Sequence, residues 1–121
     1  MPLKSLSPKI EVLEIDGSEI HAFRPTKSVW DEYVGAMFER DKEGEMVVKS
    51  YRALTFLYRS CIKKITNVIV DRGEGQVALP EITDPEEIVK FMAGLNDIEA
   101  GRKIDEWLLS LGELDKSETK N

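Results

Sequence analysis

The stretch that decides the fold lies near the start of the chain and reads Lys-Ile-Glu-Val-Leu-Glu-Ile-Asp-Gly-Ser-Glu-Ile-His-Ala-Phe, residues 9–23. Apolar and charged residues alternate over 9–15, which is the period of a half-buried strand. Asp16-Gly17 follows and predicts a tight hairpin turn, because glycine takes positive φ without steric cost and aspartate tolerates it. Residues 19–23 return as a second strand. Two strands alone are marginally stable in water, so the hairpin must pack on helices or on another chain.

Length and composition indicate a single acidic globular domain. The chain has 121 residues, of which 41% are hydrophobic and 33% charged, with a net charge of −6. This charge argues against a general nucleic-acid binder, which needs a concentrated positive field. The single cysteine requires no oxidising compartment, and no apolar run approaches the ~20 residues that span a bilayer. We expect a cytoplasmic protein that does not enter a membrane.

Helical spacing begins after the hairpin. Ser28, with Asp31 three residues later, resembles a capping box, and the apolar residues from Trp30 to Phe38 form one helical stripe that should end near Gly44. Apolar residues recur at 3.6-residue spacing from Met46 to Ile65, which predicts a long helix over about 44–65. Residues 65–70 are rich in β-branched side chains, which favours an extended segment, and continuation of the helix is the alternative.

The second half of the chain contains two further predicted helices. Asp84-Pro85 is a helix start, with Asp84 as the cap, and Gly94 should end that helix. Asn96 or Asp97 could cap the last helix, which should end at Gly112. We therefore predict an α+β fold, with an N-terminal β-hairpin packed on a bundle of about four helices. The predicted organisation is a flexible arm at 1–8, one domain at 9–112 and a disordered polar tail at 113–121.

Catalytic and metal-binding chemistry has no recognisable pattern in this chain. His21 is the only histidine, and no Cys or His lies at metal-ligand spacing from it. Cys61 falls on the apolar face of the long predicted helix, where core packing accounts for it. We predict no enzyme activity, no catalytic residue, no metal and no cofactor.

Two groups of residues are candidates for binding. Aromatic and Met side chains on a short helix and on the last helix are typical interface anchors, although completion of the domain core is the favoured interpretation of them. The basic residues of the long predicted helix are an alternative, nucleic-acid-binding face, for which a solvated surface is the favoured interpretation. The first group is Trp30, Tyr33, Met37, Phe38 and Trp107, and the second is Arg52, Arg59 and Lys63.

The segment from Ile15 to Thr26 resembles the opening of tail assembly chaperones of long-tailed bacteriophages. In that family a short hairpin often leads through an aromatic-Arg-x-Pro or Arg-Pro-Thr junction into a helix with a Trp/Tyr-acid pattern. Here the junction is Phe23-Arg24-Pro25-Thr26, and Trp30-Asp31-Glu32-Tyr33 follows it. The order of the later elements is also similar to that family.

The resemblance implies a non-enzymatic protein of phage or prophage origin that acts in the bacterial host cytoplasm. It would bind the helical tape measure protein and keep it soluble during tail morphogenesis, and the tail tube protein is a further partner to consider. A second copy of the chain is also left open as a partner. The alternative is a small phage or bacterial regulatory interaction module associated with nucleic acid.

Overall fold

Four helices and two antiparallel sheets make up the part of the chain that the computed structural model describes, which is residues 9–71, 73 and 75–118. The predicted α+β class and the N-terminal hairpin are confirmed. The strands β1, β2, β5 and β6 form one antiparallel sheet in that order, and β3 and β4 form a separate small hairpin. The predicted arm at 1–8 lies outside the described residues. In chain order the elements are β1 (Ile10–Ile15), β2 (Ser18–Phe23), α1 (Lys27–Met37), β3 (Phe38–Arg40), β4 (Met46–Val48), α2 (Ser50–Cys61), β5 (Ile62–Asp71), β6 (Gln76–Ile82), α3 (Pro85–Ala93) and α4 (Ile98–Glu118).

The turn between β1 and β2 is also bonded to β5. Asp16 and Gly17 have φ values of 51° and 84°, as a two-residue turn with both central residues left-handed requires. Asn67 donates a hydrogen bond from its side chain to the Gly17 carbonyl at 3.0 Å, and Ser18 Oγ donates to the Asn67 carbonyl at 2.8 Å. The hairpin is thus one edge of a larger sheet.

The long helix predicted over 44–65 is wrong at both ends. Residues 46–48 form β4, because the preceding Asp41–Glu45 segment closes a hairpin instead of ending a helix. Asp41 accepts hydrogen bonds at its Oδ1 from the Glu43 and Glu45 amides, both at 2.9 Å, and Gly44 has a φ of 83°. α1 accordingly ends at Met37, and Phe38 opens β3.

At the other end, α2 stops at Cys61 and the chain continues as β5. Ile62, Ile65 and Val68 are all buried, at a spacing of three that imitates a helix. Two irregularities allow this spacing on one face of a strand: the register to β2 shifts between His21 and Ala22, and Asn67 has a φ of 54°. The extended interpretation of 65–70 is confirmed.

The helices α1, α3 and α4 each begin directly after a residue that caps them, and the cap of α1 differs from the predicted one. α1 begins at Lys27 because Thr26, rather than Ser28, caps it and accepts a hydrogen bond from the Val29 amide at 3.3 Å. Asp84 caps α3 as predicted, with its side chain accepting from two backbone amides at 3.1 Å. Asp97 accepts from the Ala100 amide at 3.1 Å, and this settles the cap of α4.

Gly112 does not end α4, which continues to Glu118. The helix therefore covers 113–118 of the segment predicted to be a disordered tail, and 119–121 lie outside the described residues. Gly112 is a glycine because of a close approach: a Cβ at this position would lie within 3.0 Å of three ring carbons of Trp30. The last helix is thus fitted directly against the first.

The core lies between the helices and one face of the four-stranded sheet. Alternate residues of β2, Ile20 and Ala22, are buried, and the helices supply fully buried side chains against them. The side chains of Glu19, His21 and Phe23 belong to the opposite face of β2 and are only half-buried. The largest fully buried side chains are Ile20, Leu57, Ile65, Ile88 and Leu108.

Candidate binding surface

The five predicted anchor residues do not share one surface. Tyr33 is 5% exposed and lies in the core, so its ring offers no area to a partner. Trp30, Met37 and Trp107 are half-buried and pack against the core. Phe38 is the most exposed of the five, with 44% of its surface accessible. Packing within the domain therefore accounts for most of this group.

Trp30 is held between two elements. Its ring lies 5.1 Å from that of Tyr33, centroid to centroid, at an interplanar angle of 38°. The ring also lies against Gly112 of α4, where an added Cβ would be within 3.0 Å of three ring carbons. Offset aromatic packing of this kind adds to the stabilisation from area burial. Trp30 consequently fixes α1 against α4.

A polar cluster consists of Tyr58 and Asp105, which are hydrogen-bonded to each other, and Tyr33, whose phenol is affected by the Asp105 charge. Tyr58 of α2 donates a hydrogen bond to Asp105 Oδ1 of α4 at 2.5 Å. Burial raises the pKa of Tyr58 above its ordinary value, and the hydrogen bond to Asp105 raises it further. Burial also raises the pKa of Asp105, although the hydrogen bond from Tyr58 acts in the opposite direction. The pKa of Tyr33 is raised mainly by burial and further by the negative charge of Asp105. The cluster has the character of an interhelical tie.

The β3–β4 hairpin carries a group of exposed apolar side chains. Phe38 pairs with Val48, and Arg40 pairs with Met46. Residues that pair, and residues two apart on one strand, point to the same face, so Phe38, Met46 and Val48 share one face of this hairpin. They are 44%, 56% and 58% exposed. We call these three residues the hairpin patch.

A loop of net negative charge adjoins the hairpin patch. The loop that joins the two strands contains Asp41, Glu43 and Glu45, with Lys42 between them. Arg40, the cation on the patch face, donates from its guanidinium to the Gly44 carbonyl at 2.8 Å. The patch therefore presents apolar area beside a loop of net negative charge.

Met46 and Val48 are binding candidates that the sequence interpretation missed. The apolar spacing predicts Met46 on the buried face of a long helix, whereas the β3–β4 hairpin places it at the surface. The signal was present in the Asp-Lys-Glu-Gly turn, which has β-forming residues on both sides.

The predicted basic face is divided between two elements and balanced by acids. Lys63 lies in β5 beyond the end of α2, with its Nζ 5.7 Å from the centroid of the Phe23 ring. Arg52 bonds to Glu39 at 3.3 Å, and Arg59 bonds to Glu86 at 2.7 Å. The two arginines also line a shallow groove of about 470 Å³ between α1 and α2. Each arginine charge on this surface has a neighbouring carboxylate.

A second cleft of about 530 Å³ lies between the β5–β6 strands and α3. Phe91, Leu95 and Ile69 contribute apolar area, and Asp71, Glu87 and Lys90 are also among its lining residues. Over the described residues, no three His, Cys, Asp or Glu side chains are grouped as metal ligands. Cys61 is 2% exposed, and burial raises the pKa of its thiol to about 11.

No protein-family model, curated protein or solved structure matches this chain. In the part of the chain that the structure covers, no helix has both the length and the apolar character needed to cross a membrane.

Proposed function

We propose that this chain is a non-enzymatic tail assembly chaperone that binds the tape measure protein in the bacterial host cytoplasm. The observation that carries the proposal is the hairpin patch, since Phe38, Met46 and Val48 remain at the surface of a domain whose core is already filled by other residues. The similarity of residues 15–26 to that chaperone family is the second support. The tail tube protein is a further partner in this proposal.

The chemistry of the hairpin patch suits an amphipathic helix. A tape measure protein is a long helical chain whose apolar stripes aggregate unless they are covered. Aromatic and Met side chains are effective anchors for such stripes, because they bury large area and methionine adapts to irregular surfaces. The neighbouring acids keep the carrier soluble when its apolar face is occupied.

Co-expression with the tape measure protein tests the proposal. We expect the tape measure protein to be insoluble alone and to be recovered in a soluble complex with this chain. Replacing Phe38 and Val48 together by threonine should weaken the complex at least about tenfold, because two half-exposed apolar anchors are lost while the paired threonines keep the hairpin. Unfolding in urea should show that this variant is folded.

Ile69→Thr is the matched control. Ile69 is an exposed, β-branched strand residue outside the hairpin patch, so this variant should bind as the parent chain does. Equal binding by all three proteins would remove the patch from the mechanism. A tape measure protein that remains insoluble in the presence of this chain would refute the proposed function.

A further inference from the structure

Strand β1 is one edge of the four-stranded sheet, and one side of its backbone has no strand partner among the described residues. Ile15 pairs with Ser18 across the two-residue turn, and the Arg24 amide donates to the Lys9 carbonyl at 3.3 Å. Hydrogen-bonded positions alternate along an antiparallel pair, so the odd-numbered residues of β1 direct their backbone groups towards β2. The N–H and C=O groups of Ile10, Val12 and Glu14 therefore point away from the sheet.

The two edges of this sheet differ in their protection against pairing. β6, at the opposite edge, contains Pro80, which has no N–H to donate and interrupts a ladder. β1 contains neither proline nor glycine, and its outward positions include Ile10 and Val12, whose side chains are 41% and 48% exposed. An edge strand without such an interruption presents its unpaired N–H and C=O groups as a template for another strand.

We propose that β1 pairs antiparallel with β1 of a second copy of this chain, about a two-fold axis at Val12. This register faces Val12 with Val12 of the second copy, and Ile10 with Glu14 of the second copy. On the other face of the sheet it sets Glu11 opposite Leu13. All outward backbone groups of Ile10, Val12 and Glu14 are then satisfied in both copies.

The strand is complementary to itself in this register. Centring the axis on Glu11 or Glu14 would place two carboxylates directly opposite each other, which is destabilising. A slip of one residue would exchange the faces of the sheet and bring exposed side chains opposite core-facing ones. The Val12 register avoids both conflicts and yields a closed two-fold dimer with one continuous sheet of eight strands. This inference does not depend on the proposed chaperone function.

Sedimentation equilibrium from low micromolar to submillimolar concentration tests the dimer, together with hydrogen exchange of the backbone amides. The parent chain should dimerise, with the amides of Ile10, Val12 and Glu14 protected only in the dimer. Val12→Pro should weaken dimerisation more than about tenfold, because it removes a central donor that the monomer does not use. Val12→Thr keeps the N–H group and the β-branched shape, and it should dimerise as the parent does.

Val12→Lys guards against a proline variant that fails to fold. It leaves every backbone group in place and sets two ammonium groups opposite each other, so it should be a folded monomer. A parent chain that is monomeric throughout the range would overturn the proposal. A dimer in which the three amides exchange rapidly, or one that survives both Val12→Pro and Val12→Lys, would do so as well, because the contact would lie elsewhere.

Discussion

Gly112→Ala should destabilise this domain even though alanine is the better helix former. In the interior of a helix the change from glycine to alanine is worth roughly 0.5–1 kcal/mol of added stability. At Gly112 the new Cβ would lie within 3.0 Å of three carbons of the Trp30 ring, so the ring must move. Overpacking of a well-packed interior costs about 1–3 kcal/mol, and the net effect should be a loss of about 1 kcal/mol.

Gly101→Ala, in the same helix, is the matched control. Its Cβ would meet only Leu95 Cδ1 at 3.9 Å, an ordinary contact, so this variant should be more stable than the parent by about 0.5–1 kcal/mol. Urea unfolding measures both changes as shifts of the midpoint at constant m-value. The two variants should thus move the midpoint in opposite directions.

The attribution to Trp30 can be separated from a general intolerance of position 112. In a Trp30→Leu background the smaller side chain leaves room for the new methyl group, so Gly112→Ala should cost less there, and the double-mutant cycle should show a favourable coupling. If Gly112→Ala raises the urea midpoint as much as Gly101→Ala does, the close approach of the Trp30 ring to α4 is refuted.

Three further predictions concern a thiol, a phenol and a cap. Cys61 has a thiol pKa of about 11 and is 2% exposed, so it should resist alkylation at pH 8 in the native chain. As urea is added, its alkylation rate should follow unfolding of the chain. Rapid labelling of the native chain would contradict the burial of this thiol. The pKa of Tyr58 is raised in the folded state, so the unfolded state loses its phenolic proton first, and the stability from this group is complete below about pH 10 and lost above it. Urea midpoints of the parent chain should therefore fall more steeply above about pH 10 than those of Tyr58→Phe, and parallel profiles would count against the prediction. Asp84→Ala should lower the free energy of unfolding by about 1 kcal/mol, because the α3 cap is lost. Thr83→Ala, at an exposed neighbouring position, should change the free energy of unfolding little. Equal effects of the two variants in calorimetry would argue against the cap.

The sequence predicted those elements whose signals are local. Asp84-Pro85 carries a complete helix start within two residues, and Asp16-Gly17 carries a complete turn, and both are where they were expected. Residues 62–65 are predicted to end a helix but belong to a strand, because the period of three over 62–68 arises from a register shift and from a left-handed Asn67. Neither irregularity is visible without the neighbouring strands.

The candidate surface was predictable only in part, because exposure depends on tertiary packing. Phe38 was expected to be an anchor and is exposed, whereas Tyr33 satisfies the same helical spacing and is buried. Met46 fits the apolar face of a helix by its spacing, but the preceding turn closes a hairpin and leaves Met46 56% exposed. The sequence predicts a helix end at Gly112 because glycine is common at helix ends. A glycine that allows two elements to approach closely cannot be distinguished from such a glycine by sequence alone.

The strand order has a consequence for the kinetics of folding. The β1–β2 and β5–β6 hairpins join strands that are adjacent in the chain, so each can form on the microsecond scale. Pairing β2 with β5 must instead close a loop of about forty residues, and its entropy is lost before the contacts are gained. We expect the docking of the two hairpins to limit the rate of folding. Asn67 of β5 bonds to the β1–β2 turn, so a substitution at Asn67 would change the folding rate if this contact is formed in the transition state.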